Sequence, residues 1–324
     1  MVMRAWEQPN VNNAFFSVDL VPLYFTDKNG AQQRVNDVRG IYDCQRDSVI
    51  STVSSAYNLV SNYEAYKTAE KIVPKIFHNT KLEDLKFYNL RMPKTRTFMH
   101  LDLIKPNSDI EPFKDDKWTP FLRITNSYNR LFSLSYELGF CRWICQNGMI
   151  FNAHSVKLNF THGGEIKTDF KNLSENLKDI HDIESGFCEK LNHLRNIPIP
   201  RDLMEPMFFE VFRLRNRKEY SKLSEIQLVM LAARKEYVKR LINNYVNEME
   251  CNAYAMLNIL TDFASFPSDG RNESRHLSGA YQKKVGTWTN NFEEYLKNNK
   301  DGLKDFISQD AFDCAEYVMN APAN

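Results

Sequence analysis

The sequence predicts an α+β protein, with an antiparallel sheet and packed helices in the N-terminal half and a helical C-terminal region. Two observations carry this. Between Val18 and Phe160, runs rich in β-branched and aromatic residues alternate apolar with polar and are punctuated by turn residues. After the Gly163-Gly164 pair the period lengthens to that of a helix, with Leu173, Leu177, Ile180, Ile183 and Phe187 on one face. These changes divide the chain into a sheet domain (1–165), a helical region (166–266), and a mobile loop with a C-terminal helical pair (267–324).

Taken in order, VDLVPLYF reads as a strand ending in the turn Asp27-Lys28-Asn29-Gly30. The stretch VRGIYDCQRDSVISTVSS follows as extended segment, turn and extended segment. Asn62 is placed as the N-cap of a helix carrying Tyr63, Tyr66, Ala69 and Ile72, which Pro74 stops. FYNLRMPKTRTFMHLDLI and KWTPFLRITNSYNRLFSLSYELGF each read as a strand pair; in the second, Asn126 to Asn129 form the turn and Phe132, Leu134, Tyr136, Leu138 and Phe140 alternate beyond it. A corner at Asn147-Gly148 returns the chain as MIFNAHSVKLNF. Two long helices are expected in SEIQLVMLAARKEYVKRLINNYVNEME and NAYAMLNILTDFASF. PSDGRNESRHLSG, at 267–279, is the expected mobile loop, and helices containing WTNNFEEYL and LKDFISQDAF close the chain.

A hydrophobic fraction of 43% over 324 residues supplies a large core. With 42 basic against 41 acidic residues there is no general field, so a polyanion must be met by a local patch. No apolar run approaches the roughly 20 residues that span a bilayer, and the start MVMRAWEQPNVNN lacks the apolar stretch of a signal peptide. A cytosolic protein without membrane contact is expected. Six dispersed cysteines, at 44, 141, 145, 188, 251 and 314, read as reduced and mostly buried.

Cys141 and Cys145 could contribute to a zinc site, with His154 and His162 downstream. Those histidines are too far apart for the usual spacing, however, and no second close pair exists, so packing thiols and no metal are expected. The chain has no G-x-S-x-G, no G-x-x-x-x-G-K-[ST] and no G-x-G-x-x-G, and eleven glycines leave little for phosphate-cradling loops. No cofactor and no catalytic residue is assigned. His181, Asp182 and Glu184 could act together or hold a cation, but on an amphipathic helix they read as its solvated side.

Two basic clusters remain. Phe87, Tyr88 and Phe98 lie beside Arg91, Lys94 and Arg96, the mix of a β-ribbon that holds a phosphate backbone and offers rings to bases. Arg213, Arg215, Arg217, Lys218 and Lys222 fall within one short run. In the competing reading, the first cluster only guards a sheet edge and the second only caps a helix boundary.

The order VPLYF, VRGIYDCQRDSVISTVSSAYNLVSNYEAYKTAEKI, FLRITNSYNRLFSLSYELGFCRWICQNGMI and NAYAMLNILTDFAS resembles the DUF932, or phage/plasmid-like, proteins. Tyr57, Val60 and Asn62, the turn Asn126 to Tyr128, and Arg142, Cys145, Asn147 and Gly148 carry the resemblance over about residues 18–265. Where the family has glycine after the Ser-Tyr turn, this chain has Asn129-Arg130. The resemblance implies an accessory product of a phage, plasmid or integrated element in a bacterial host cell, but no reaction. It favours a nucleic-acid partner. Separately, a sheet flanked by helices with basic and aromatic ribbons is similar in general character, without a shared motif, to single-strand annealing proteins, so a single strand met by a homo-oligomer is expected. Arg91, Lys94, Arg96, Arg213, Arg215, Arg217 and Lys218 would then meet phosphates and Phe87, Tyr88 or Trp143 the bases. The alternatives are a protein-binding inhibitor of a host defence system and a metal-dependent nuclease.

Overall fold

The computed structural model describes residues 9–114, 116–142, 147–150, 157–160, 180–214, 217–265, 278–299 and 302–322. It has the α+β architecture that the sequence predicts: antiparallel sheets first, helices after them.

Strands β1 (Val18–Thr26), β2 (Gln32–Asp43) and β3 (Ser48–Ser54) form a three-stranded sheet. The first turn is where the residues put it. Asp27 Oδ1 accepts the backbone N–H groups of Asn29 and Ala31, both at 2.9 Å, and Gly30 takes a φ of 83° that other residues resist. Ser61, not Asn62, caps the next helix, α1 (Asn62–Thr68), through a box closed by Glu64. Asn62 is buried one position inside. Pro74 does not end a helix but opens the short α2 (Val73–Ile76), since a proline at the first turn removes only an N–H that has no helical partner.

The seven-stranded sheet contains β4 (Lys86–Arg91), β5 (Phe98–Ile104), β6 (Ile110–Phe113), β7 (Asp116–Ser127), β8 (Leu134–Arg142), β9 (Asn147–Ile150) and β10 (Lys157–Phe160). Its main order is β10-β8-β7-β5-β4, with β6 against β7 and β9 against β8. Asn126 and Ser127 lie in β7 rather than in the turn, which falls later. Asn147 pairs with Arg142 and Gly148 with Cys141, so the Asn-Gly pair expected to form a corner lies in β9.

Helices α3 (Ile180–Arg195), α4 (Met204–Val211), α5 (Glu225–Met249), α6 (Ala253–Ser265), α7 (Ser278–Asn298) and α8 (Gln309–Met319) follow. The residues expected to form a mobile loop lie, up to 277, outside the described residues. One core joins sheet and helices. Leu101, Leu122, Ile124, Tyr136, Leu138 and Phe140 on one sheet face belong to one hydrophobic cluster with Phe187, Phe208, Leu257 and Phe263 of the helices. Phe187 stacks on Phe140 at 4.1 Å, and Tyr136 Oη donates to the Ala65 carbonyl at 2.7 Å. Among the described residues no helix is long and apolar enough to cross a membrane.

The described cysteines are free, but fewer are buried than expected: Cys141 and Cys314 are, Cys188 and Cys251 are half-buried, and Cys44 is exposed.

Candidate functional site

The residues opposite the apolar face of the large sheet are also buried, and they are polar. Alternation explains the pattern: Leu101, Leu122 and Leu138 point one way, so His100, Asp102, Arg123, Thr125 and Glu137 point the other. Register then aligns them in two rows. One runs Asn89, Asp102, Arg123, Glu137 across four strands, and the next runs Arg91, His100, Thr125, Ser135.

Charges in the first row meet directly. Arg123 Nε and Nη2 donate to the two oxygens of Asp102 at 2.6 and 2.7 Å, and Asn89 Nδ2 donates to the same carboxylate at 3.1 Å. The third donor of Arg123, Nη1, reaches Gln282 Oε1 on α7 at 2.7 Å, and Gln282 Nε2 continues to Ser265 Oγ at 3.3 Å. Lys283, the next residue of α7, places Nζ 2.9 Å from Glu137 Oε1. Helix α7 therefore closes this face through a polar contact. Burial alone would lower the affinity of Arg123 for its proton, but the Asp102 carboxylate outweighs it and the net shift is upward.

His100 lies in the second row, its Nδ1 2.9 Å from Thr125 Oγ1. Burial, then Arg123, Arg91 and Lys283, push its pKa well below 6.5, so the imidazole is neutral at pH 7. A folded-state value below the unfolded one means that the unfolded chain binds the extra proton. The contribution is full above the unfolded value of about 6.5 and is lost as pH falls below it. His100→Gln is expected to flatten the decline in stability between about pH 6.5 and 5, measured by urea unfolding of both proteins. Parallel pH profiles of wild type and variant would refute the assignment.

The sequence-predicted site residues of the first cluster, Lys94 apart, have been drawn inward. Phe87 packs against Tyr66 and Phe15 at ring distances of 5.5 and 6.4 Å. Tyr88 is half-buried, with its hydroxyl hydrogen-bonded to Cys141 Sγ at 2.6 Å. Arg96 is buried, bonds Asp43 Oδ2 at 2.9 Å and covers the Phe16 ring at 4.5 Å. These three are corrections to the picture of a solvent-facing ribbon: β4 sets Phe87 and Tyr88 against neighbouring side chains, and the β4–β5 turn sets Arg96 against the small sheet. Arg91 Nη1 is also buried. Only Lys94 is exposed there, and its carbonyl accepts from Arg46 at 2.6 Å.

In the second cluster, Arg213 is exposed but pairs with Glu210 and, at 3.8 Å, with Asp310. Arg217 also pairs with Asp310 and lies 2.8 Å from Cys314 Sγ. Lys218 is exposed, while its carbonyl accepts from Tyr317 Oη at 2.7 Å. Arg215, Trp143 and Cys145 lie outside the described residues. Among those described, no group of His, Cys, Asp or Glu is placed to hold a metal ion, which leaves the nuclease reading without a metal cluster in this part of the chain.

A cleft of about 550 Å³ opens between the end of α4 and α7. Arg213, Lys283 and Lys284 line it with Thr287 and Asn291, beside Trp288, and Glu210 is the only carboxylate on the wall. Lys283 joins the cleft to the buried polar rows. Sequence inspection missed this site because Lys283 and Lys284 lie some 70 residues from Arg213. It missed the polar rows because alternation shows which residues share a face of a strand but not what covers that face. A charged residue on each of three consecutive strands was the available signal.

The model of a family described as a domain of unknown function (DUF932) matches residues 49–280, more than half of the chain. No curated protein and no solved structure matches. Residues that carried the resemblance converge in the fold: Tyr57 Oη donates to the Ser127 carbonyl at 3.2 Å, Asn62 N–H to Tyr128 Oη at 3.0 Å, and Asn126 Nδ2 to the Val60 carbonyl at 2.9 Å and to Asn62 Oδ1 at 3.0 Å. Burial raises the Tyr57 pKa to about 12, as suits a hydroxyl that stays protonated and donates. This network fastens α1 to the end of β7, a structural task.

Proposed function

The chain belongs to the DUF932 family, and from that premise we propose that it binds single-stranded nucleic acid, the phosphate chain passing through the cleft between α4 and α7. The supporting observation is the wall of that cleft, where Lys284 stands with Arg213, which also pairs with Glu210 and Asp310, and Lys283, which also pairs with Glu137, around a space of about 550 Å³. Such a groove attracts a polyanion without reading its sequence. Of the residues first assigned to phosphates, Arg213 lines this cleft, whereas Arg91 and Arg96 do not. The proposed setting is the cytoplasm of a bacterial host carrying a phage, plasmid or integrated element, with the protein acting as a homo-oligomer.

Fluorescence anisotropy with labelled single strands is expected to show binding with little sequence preference that weakens steeply with salt. Each neutralised phosphate releases about 0.7 counterion, so Arg213→Ala with Lys284→Ala should lower the magnitude of the log-log salt slope by roughly 1.4. No binding at micromolar protein in low salt would eliminate this reading.

That result would favour the inhibitor reading, for which the β1–β2 hairpin is the supporting observation. Tyr24 and Phe25, adjacent in β1 and thus on opposite faces, are 56% and 54% exposed. Aromatic residues so displayed are common anchors in protein interfaces.

A further inference from the structure

Three cations converge on His100, and two of them have carboxylates. Arg123 holds Asp102 with two hydrogen bonds, and Lys283 holds Glu137. Arg91 differs. Its Nη2 makes one long hydrogen bond, 3.4 Å, to the carbonyl of Ser265, and its Nη1 is buried with no acceptor among the described residues. A carbonyl oxygen does not neutralise a guanidinium, and the nearby Asp102 is already occupied by Arg123 and Asn89. Burial, with repulsion from Arg123, lowers the Arg91 pKa to about 10, which still leaves it charged at pH 7. A buried cation without a counter-charge is costly, and keeping one calls for a reason.

Position supplies the reason. Arg91 ends the edge strand β4 and is half-buried as a whole residue, so its side chain lies at the sheet margin although Nη1 itself is closed to solvent. A guanidinium offers parallel N–H donors suited to two oxygens of one group. The charge pattern selects the ligand's sign: among the described residues, three cations against two carboxylates leave this layer positive around a neutral imidazole. We propose that Arg91 is the anchor of an oxyanion site on the buried polar face, taking the phosphate or carboxylate group of a small ligand through Nη1. This site does not depend on the nucleic-acid reading, because its anchor lies on β4 and not on the wall of the cleft.

The test is thermal unfolding at constant pH and ionic strength, with chloride replaced stepwise by millimolar inorganic phosphate or by acetate. Wild type should show a saturating rise in Tm, since a ligand that binds only the folded state stabilises it by mass action. Response to phosphate alone assigns the ligand as a phosphate; an equal response to acetate assigns a carboxylate. Arg91→Met should abolish the rise and be no less stable than wild type in chloride, because it removes an uncompensated charge and keeps the packing stem. Arg91→Lys, which keeps the charge but not the paired donors, should weaken the rise and serves if the methionine variant does not fold. Arg213→Ala with Lys284→Ala should leave the rise intact, which separates this site from the cleft. No saturating response in wild type, or an undiminished one in both Arg91 variants, would overturn the proposal.

Discussion

Arg123→Met is expected to cost about 3–5 kcal/mol of folding free energy, a large part of the roughly 5–15 kcal/mol that holds a typical domain. The reason lies less in the value of the ion pair than in what its loss leaves behind. Arg123 and Asp102 are 1% and 3% exposed, so without Arg123 the Asp102 carboxylate stays buried with one hydrogen-bonded amide, from Asn89, and the nearby Arg91 charge to support it. Gln282 would lose its partner at the same step, loosening α7 from the sheet. Removing both charges should be milder, because replacing a buried pair by apolar groups of similar volume is often neutral, whereas stranding one charge is not. Urea unfolding of Arg123→Met, Asp102→Leu and the double variant measures this directly. A single-variant loss below about 1 kcal/mol, or a double-variant loss equal to the sum of the singles, would contradict it.

Arg96→Met should cost somewhat less, near 3 kcal/mol, for a reason visible at its partner. Asp43 is buried, but its Oδ1 also accepts the backbone N–H groups of Gln45 and Arg46, at 2.9 and 3.1 Å, so it keeps two donors when the guanidinium goes. The loss would fall on the junction between the sheets, since Asp43 ends β2 while Arg96 stands in the β4–β5 turn. Arg96 also holds a φ of 54°, a left-handed conformation that a side chain resists, and its contacts to Asp43, Gln45 and Phe16 hold it there. Arg96→Gly separates these effects: it relieves the backbone and still loses the ion pair, so it should be destabilised, though less than Arg96→Ala. Hydrogen exchange should show β2 and β3 losing protection before β7 and β8 in each variant. Wild-type protection and stability in Arg96→Met would show that the junction does not depend on this pair.

Much of the fold was legible because its signals are local. Alternation in LSYELGF sets Leu134, Tyr136, Leu138 and Phe140 on one face whatever lies beyond, and Asp27 with Gly30 can make the first turn from neighbouring atoms alone. The family resemblance was legible too, and the family model confirms it over residues 49–280. The role of the charged residues was not. Arg96 looks like a phosphate contact in PKTRTF, and the Asp43 that claims it lies 53 residues earlier. Arg217 meets Asp310 across 93 residues, and Arg123 meets Gln282 across 159.

The sequence by itself determined the α+β class, the strand faces and the long helices, since each follows from periodicity and capping within a few residues. Tertiary structure alone decided which charges face solvent and which face one another. Whether a guanidinium is offered to a ligand or spent on a carboxylate depends on the groups that folding brings within about 3 Å, and local sequence carries no record of a partner so distant along the chain.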